Sequence, residues 1–300
     1  MRKGAMMPMK KRILALLLAA VMLCTVGCVP KKVPAPIAAT TMPVYCFTFR
    51  LCQGTPIAVT RLITENVSCL HDYSLQVDQM RAIEQAELVV ISGAGLEDFL
   101  SDALAGKRVL EAAGDMELLE GSHGHDHEHA GHVHAEDPHI WLSPENAREM
   151  AHNIYHELCH EYPQYTDIFQ TNLASLEGEL DALQAYGEQA LADLSCREII
   201  TFHDGFSYLA ESFGLTIVEA VEEESGSEAS AKELIHLIGL VREHNLPAIF
   251  VETNGSTSAA SIIQNETGVK VYTLDMAMAG DDYFEAMYHN INTLKEALQK

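Results

Sequence analysis

Histidine is concentrated in one short stretch of this chain. Residues 123–141 read HGHDHEHAGHVHAEDPHIW and hold seven of the fifteen histidines. Imidazole is the commonest metal ligand in proteins and suits zinc, copper and nickel, so the stretch predicts metal binding. Its first six histidines alternate with small and acidic residues, which cannot hold ligands in a fixed geometry. They are His123, His125, His127, His129, His132 and His134.

The seventh histidine has a different context. His139 lies in DPHIWLSP, where Ile140, Trp141 and Leu142 offer apolar side chains for packing. We therefore expect His139 to belong to a fixed metal site. The His-rich loop, residues 121–136, is expected to act beside that site as an auxiliary collector of zinc, because ordering such a loop costs roughly 1 to 2 kcal/mol per residue. The alternative is a solvated spacer.

Short apolar runs alternate with helical patterns along the rest of the chain. This alternation predicts an α/β protein with mainly parallel sheets. The predicted strands are 56–63, 86–93, 197–202, 215–221, 247–252 and 269–274. The predicted helices between them are 74–85, 145–161, 231–243 and 257–267.

One segment predicts an unusually long helix. Residues 165–194 contain no proline, and leucine or isoleucine recurs there at steps of three to four residues. We therefore expect two parallel-sheet α/β lobes, residues 40–163 and 195–300, joined by one long helix over residues 164–194.

Polar side chains follow three of the predicted strands. His203 comes directly after REIITF, Asp275 comes directly after VKVYTL, and His71 comes a few residues after PIAVTRLI. Ligands of open parallel sheets lie beyond the carboxyl ends of strands, so a cleft between the lobes would gather these three residues with His139. Taken singly, His71 could be a loop residue, His203 a helix cap and Asp275 an N-cap.

The predicted ligand set indicates which metal the cleft would bind. Three neutral imidazoles and one carboxylate suit four-coordinate zinc, whereas manganese prefers more oxygen ligands and a higher coordination number. We therefore expect zinc, with manganese, iron or nickel as the alternatives.

The N-terminus indicates where the protein works. Three basic residues precede an apolar run from Ile13 to Leu23, which is too short to span a membrane, and TVGC follows. The segment resembles a bacterial lipobox, which implies cleavage of residues 1–27 and a lipid on Cys28. Residues 28–39, rich in proline and lysine, then predict a tether. The alternative is a signal peptide cut elsewhere, which would leave a free protein.

Charge excludes one class of partner. The chain holds 43 acidic and 19 basic residues, and five of the basic ones fall in residues 1–27 with no acidic one. The formal charge of the rest of the chain is therefore more negative than the −24 of the whole sequence. A chain this acidic is not expected to bind nucleic acid.

Five cysteines remain after Cys28, and they lack the spacing of a metal knuckle. We expect core residues whose disulfide state is open, with Cys69, two positions before His71, as a further candidate ligand. The five are Cys46, Cys52, Cys69, Cys159 and Cys196.

A rival motif is HELCH at residues 156–160, which fits the H-E-x-x-H pattern of zinc metalloproteases. At 100° per residue, Ala147, Ile154 and Leu158 cluster on one side of the predicted helix, while His156 and His160 point roughly 160° away. The two histidines should therefore face solvent, which argues against a protease.

Several motifs together resemble the metal-binding lipoproteins that serve ABC importers of zinc and manganese, the zinc-uptake proteins in particular. They are HDY (71–73), DPHIWLSP (137–144), TFHDGFSYLA (201–210), FVE with ETGVKVYTLD (250–275), and YFEAMYHNINTLKEAL (283–298). The resemblance implies a metal cleft between two lobes joined by a rigid helix, with His71, His139, His203 and Asp275 as ligands. Manganese carriers of this family tend to have Glu where this chain has His203. Leu70 departs from the family pattern, in which proline is usual.

We therefore expect a monomeric, non-enzymatic carrier that is held outside the cytoplasm by the lipid on Cys28. It would capture zinc and deliver it to the permease of an ABC importer. Three alternatives remain at this point: a manganese or iron carrier, a zinc-dependent hydrolase with Glu252 as general base, and a metal-buffering surface adhesin.

Overall fold

The computed structural model describes residues 36–65, 70, 73–119, 136–221, 229–253 and 255–299. Cys28, Cys69, His71 and the six histidines of residues 123–134 lie outside the described residues. The predictions made for them are therefore not addressed by the structure.

The first lobe is built on a parallel sheet of four strands in the order β2-β1-β3-β4. Its strands are β1 Ile37–Ala39, β2 Val59–Arg61, β3 Leu88–Ile91 and β4 Val109–Glu111. Its helices are α1 Met42–Leu51, α2 Val77–Gln85 and the short α3 Ser101–Leu104. Because β2 and β3 lie on opposite sides of β1, the strand order reverses beside β1, where such sheets bind ligands.

Two helices follow the first sheet. Helix α4, Pro144–Glu161, begins with Pro at its first position, and the hydroxyl of Ser143 caps the backbone N–H of Asn146. Helix α5, Thr166–Ala190, is the long helix predicted from the leucine spacing. Gly187 lets α5 approach the second lobe closely, because a Cβ at this position would lie 2.2 Å from the Phe213 ring.

The second lobe repeats the architecture of the first. Its parallel sheet has the order β6-β5-β7-β8, with β5 Glu198–Phe202, β6 Thr216–Ala220, β7 Ala248–Glu252 and β8 Lys270–Leu274. Its helices are α6 Ser207–Ser212, α7 Ala231–Glu243, α8 Ser258–Thr267 and α9 Tyr283–Leu298. The order again reverses between β5, which His203 directly follows, and β7, which ends at Glu252.

The lobes share a hydrophobic core and are also joined by hydrogen bonds. The main core contains Ile37 of the first sheet and Phe250 of the second. The Trp141 indole Nε1 donates to the carbonyl of Met276 at 2.8 Å, and the Tyr283 hydroxyl donates to the carbonyl of Trp141 at 2.7 Å. These contacts fix the turn that carries His139 against the second lobe.

The predicted fold class, two parallel-sheet α/β lobes with a long helix between them, is confirmed. Strand β1, however, lies inside the predicted tether of residues 28–39, so the tether prediction was wrong for its last three residues. Ile37–Ala39 are buried between β2 and β3, because all three residues are apolar. Within the part of the chain that the structure describes, no helix is long and apolar enough to cross a membrane.

The buried carboxylate of Glu97 links the segments that follow β1 and β3, at the point where the strand order of the first sheet reverses. Glu97 accepts hydrogen bonds from the Thr40 hydroxyl at 2.6 Å and from the backbone N–H groups of Ser92 and Gly93 at 2.8 and 3.0 Å. Burial raises the pKa of Glu97 to about 7, and these hydrogen bonds oppose the rise. Protonated Glu97 thus favours the folded state, and its contribution is fully present below about pH 4.5 and lost as the pH rises through about 7.

We expect the substitution Glu97→Gln to flatten this pH dependence. Between pH 5 and pH 8, the unfolding free energy of the unsubstituted protein should fall relative to that of the variant, by on the order of 3 kcal/mol. Urea unfolding without zinc, followed by circular dichroism, measures the difference. Glu145→Gln, at the exposed start of α4, controls for the loss of a carboxylate. Parallel stability curves for the unsubstituted protein and Glu97→Gln would contradict the assignment.

Candidate metal centre

His139 directly precedes the short 3₁₀ turn Ile140–Leu142 and is almost fully buried. Its imidazole Nδ1 lies 2.8 Å from Asp137 Oδ1, and its backbone N–H donates to the same oxygen at 2.9 Å. An ionised carboxylate only accepts hydrogen bonds, so Nδ1 carries the proton and Nε2 holds the lone pair that a metal requires. The sequence Asp-Pro-His thus orients its own predicted ligand.

Asp137 is held as an ionised carboxylate. Burial alone raises its pKa, but the hydrogen bonds from the His139 imidazole and backbone, with a smaller contribution from nearby Ser207, outweigh burial, so the pKa falls below its usual value. The side chains of His139 and Asp137 are only 5% and 2% exposed. Asp137 therefore supplies a fixed negative charge directly behind the imidazole.

His203 follows β5 and has a carboxylate behind it as well. Its Nδ1 lies 3.5 Å from Oε2 of Glu252, the last residue of β7. The Glu252 side chain is 8% exposed, compared with 17% for His203. Both predicted histidine ligands within the described residues thus have Nδ1 beside a buried carboxylate, although the contact of His203 is looser by 0.7 Å.

The two imidazoles lie close together with nearly perpendicular planes. The ring centroids of His139 and His203 are 5.2 Å apart, and the interplanar angle is 81°. Two imidazoles bound to one tetrahedral zinc, with Zn–N bonds of about 2.0–2.1 Å, place their centroids about 5 Å apart. The separation of the rings therefore fits a shared zinc ion.

Gly205 leaves room beside these rings. A Cβ at this position would lie 2.7 Å from His203 Cδ2, 2.9 Å from His139 Cε1 and 2.7 Å from Met276 Cε. Cδ2 and Cε1 are both bonded to Nε2 in their rings, so the missing Cβ keeps the space next to the two Nε2 atoms open.

Asp275 lies at the end of β8, directly before Met276. Its backbone N–H and carbonyl pair with the side chain of buried Asn290, both at 2.7 Å. Its Oδ1 accepts the backbone N–H of Ala277 at 2.7 Å. Asp275 does not cap helix α9, because the N-cap of that helix is Asp282. Asp275 thus fixes a local turn directly after β8. The structure brings the rings of His139 and His203 together. Among the described residues, it does not gather His139, His203 and Asp275 into a set of three ligand atoms within 4.8 Å of one another, and His71 lies outside the described residues.

The HELCH motif lies on the outer face of α4, as the helical geometry predicted. Leu158 is buried, and the His156 and His160 side chains are exposed. Both residues line an open, largely acidic groove of about 830 Å³ on the first lobe. Among the described residues, Glu157, His160 and Glu161 bring potential metal ligands within 4.8 Å of one another.

The cation between those carboxylates is the guanidinium of Arg108. It lies 2.9 Å from Glu157 Oε1 and 2.6 Å from Glu161 Oε1. Glu157 is therefore in an ion pair, whereas a metalloprotease needs it as a base beside a metal-bound water. The geometry of HELCH favours a surface role.

The cysteines behave as packing residues. Cys46, Cys52, Cys159 and Cys196 are free thiols in or against the core. Burial raises the pKa of Cys46 to about 11 and that of Cys52 to about 12, so neither thiol favours the thiolate that binds metal.

Sequence reasoning missed three residues that shape the site. Asp137 could have been found from its position two residues before a predicted ligand, because metal-binding histidines usually donate their second N–H to an oxygen. Glu252 ends a strand beside the point where the strand order reverses, but it was considered only as a general base. Gly205 carries no local signal, because its role depends on side chains from three segments of the chain.

Two α/β lobes with an imidazole pair between them define a metal-binding protein of the solute-binding class. The model of the family "ZnuA: Zinc-uptake complex component A periplasmic" matches residues 37–297, and the chain belongs to this family. The resemblance inferred from the motifs is thereby confirmed.

Relatives and a solved structure agree with this membership. The chain is 31% identical over 260 residues to a putative metal-binding protein of Treponema pallidum, covering 82% of each chain. It is 31% identical over 277 residues to the zinc-binding lipoprotein AdcA of Streptococcus pneumoniae, covering 87% of this chain and 55% of AdcA, so it spans about half the length of that relative. The crystal structure of a ZnuA deletion mutant with zinc bound superposes with a TM-score of 0.75 at 29% identity, covering 88% and 98% of the two chains.

Proposed function

We propose that this protein captures zinc outside the cytoplasm and delivers it to the permease of an ABC importer. The observation that carries the proposal is the pair His139–His203, with centroids 5.2 Å apart and a buried carboxylate behind each ring. Relatives that are named for zinc binding support the same metal.

The proposed ligands are His71, His139, His203 and Asp275. Asp137 and Glu252 hold the rings of His139 and His203 from the Nδ1 side, which directs Nε2 to the ion. Asp275 would supply the one oxygen ligand and part of the compensating charge. Three nitrogens and one oxygen suit zinc better than manganese or iron.

The proposal includes capture without chemical turnover. A hydrolase would need a base facing the metal-bound water, and Glu252 lies instead behind His203, on the Nδ1 side and largely buried. We further propose a monomer held at the membrane by the lipid on Cys28. The acidic surface attracts cations toward the site, since the chain carries a formal charge of −24.

Metal analysis of the purified protein tests the function. Native mass spectrometry should find one tightly held zinc per chain, and calorimetry should rank zinc above manganese. A strain lacking the gene should grow poorly when zinc is scarce and recover when zinc is added, which an adhesin would not require. Bound manganese in place of zinc, or steady turnover of ester or peptide substrates, would overturn the proposal.

The His-rich loop is proposed to be an auxiliary zinc collector beside the tight site. The residues on either side of the loop are joined directly, because the N–H of Asp137 donates to the carbonyl of Leu119 at 2.9 Å. Deleting Gly121 to Gly131 should therefore remove weak sites from a zinc titration and leave one tight site per chain. Growth should suffer only when zinc is scarce. Loss of tight binding with an unchanged circular dichroism spectrum would assign the loop to the primary site.

A further inference from the structure

A hydroxyl from the second lobe reaches the main chain on both sides of the His-rich loop. Tyr208, in α6, is buried, and its hydroxyl oxygen accepts the backbone N–H of Leu119 at 2.9 Å. The same hydroxyl donates to the carbonyl of Asp137 at 3.1 Å. Because the Asp137 N–H also donates directly to the Leu119 carbonyl, hydrogen bonds join Tyr208, Leu119 and Asp137 pairwise into one unit.

This unit lies directly behind His139. The Asp137 carbonyl accepts a hydrogen bond from the Tyr208 hydroxyl, and the Asp137 N–H donates to the Leu119 carbonyl. Its Oδ1 accepts both the Nδ1–H and the backbone N–H of His139. The neighbouring Ser207 side chain lies close enough to the Asp137 carboxylate to lower its pKa. The main chain of Asp137 is therefore held by Tyr208 of the second lobe and by Leu119.

We propose that Tyr208 is a positioning residue of the zinc site, which acts through Asp137 to fix the orientation of His139 from the opposite lobe. The inference rests on the proposed function, because it assigns His139 the role of ligand. The reason is geometric. A carboxylate can orient an imidazole only as well as it is itself held, and outer partners of metal-binding histidines commonly change metal affinity 10–100-fold.

The substitution Tyr208→Phe tests the role of the hydroxyl, because it keeps the buried ring and removes both hydrogen bonds. Zinc affinity, measured by calorimetry with a competing chelator, should fall about tenfold. The same loss should occur in the chain lacking residues 121–131, since Tyr208 acts through Asp137. Tyr186→Phe is the control, because it removes a hydroxyl bonded to Asn292 at 2.6 Å on the exposed surface.

A spectroscopic measurement separates positioning from general destabilisation. Long-range ¹⁵N–¹H spectra of the zinc-free protein should show the Nδ1–H proton of His139 exchanging slowly with water, and faster in Tyr208→Phe. The signal is assigned by its loss in His139→Ala. Ser207→Ala, which leaves the buried ring intact, should cause a smaller loss of affinity, about threefold.

Two results would overturn the inference: unchanged zinc affinity in Tyr208→Phe, or reduced affinity of Tyr208→Phe with unchanged exchange of the His139 Nδ1–H. Failure of the proposed site is a separate outcome. In that case His139→Ala itself would bind zinc as tightly as the unsubstituted protein.

Discussion

Replacing His139 by alanine is expected to lower the zinc affinity at least tenfold, and replacing His203 by alanine is expected to lower it as well. Each substitution leaves an incomplete tetrahedral set, and a tenfold loss corresponds to about 1.4 kcal/mol of binding free energy. Calorimetric titration with a competing chelator measures both effects.

The loss should be larger for His139 than for His203. His139 is held by a 2.8 Å contact to Asp137, whereas the Glu252 contact of His203 is 3.5 Å, so His139 is the better preorganised ligand. The double substitution His156→Ala and His160→Ala is the control, because both histidines are exposed on the outer face of α4. Unchanged affinity in both single variants would rule out the cleft assignment, and a large loss in the control would revive the HELCH site.

The fold was predictable where the local pattern was strong. Apolar runs such as 197–202 and 247–252 became strands close to their predicted bounds, and the leucine spacing located the long helix. Strand β1 was missed because three apolar residues after a proline-rich segment are too few to show a periodicity. Helix α1 was missed because Pro43 reads as a breaker, although proline is favoured at the first turn of a helix, where it lies here.

The candidate site was predictable only as a set of separate residues. The rule that ligands lie beyond strand ends selected His203, and the packed residues of Ile140–Leu142 selected His139 over its six neighbours. The sequence did not reveal that Tyr208 holds Asp137, because that contact joins residues 71 positions apart. Such contacts depend on how the two lobes are docked, which no local pattern encodes.

The second large effect is expected from adding one methyl group. In Gly205→Ala the new Cβ would lie 2.7 Å from His203 Cδ2 and 2.9 Å from His139 Cε1, distances that require at least one ring to move. His139 is buried and fixed by Asp137, so we expect His203, with the looser carboxylate contact, to be displaced. Zinc affinity should fall on the order of tenfold or more, and overpacking should cost about 1–3 kcal/mol of stability.

A matched substitution separates the local effect from the general effect of replacing glycine by alanine. Gly239 lies within α7, and a Cβ there would meet nothing within 4 Å. Gly239→Ala should therefore leave zinc affinity unchanged and raise stability by roughly 0.5–1 kcal/mol, because alanine is the better helix former. Calorimetry and urea unfolding of both variants provide the comparison. If Gly205→Ala bound zinc as tightly as Gly239→Ala, the space beside the two Nε2 atoms could not be where the ion binds, and the shared-zinc interpretation of His139 and His203 would be wrong.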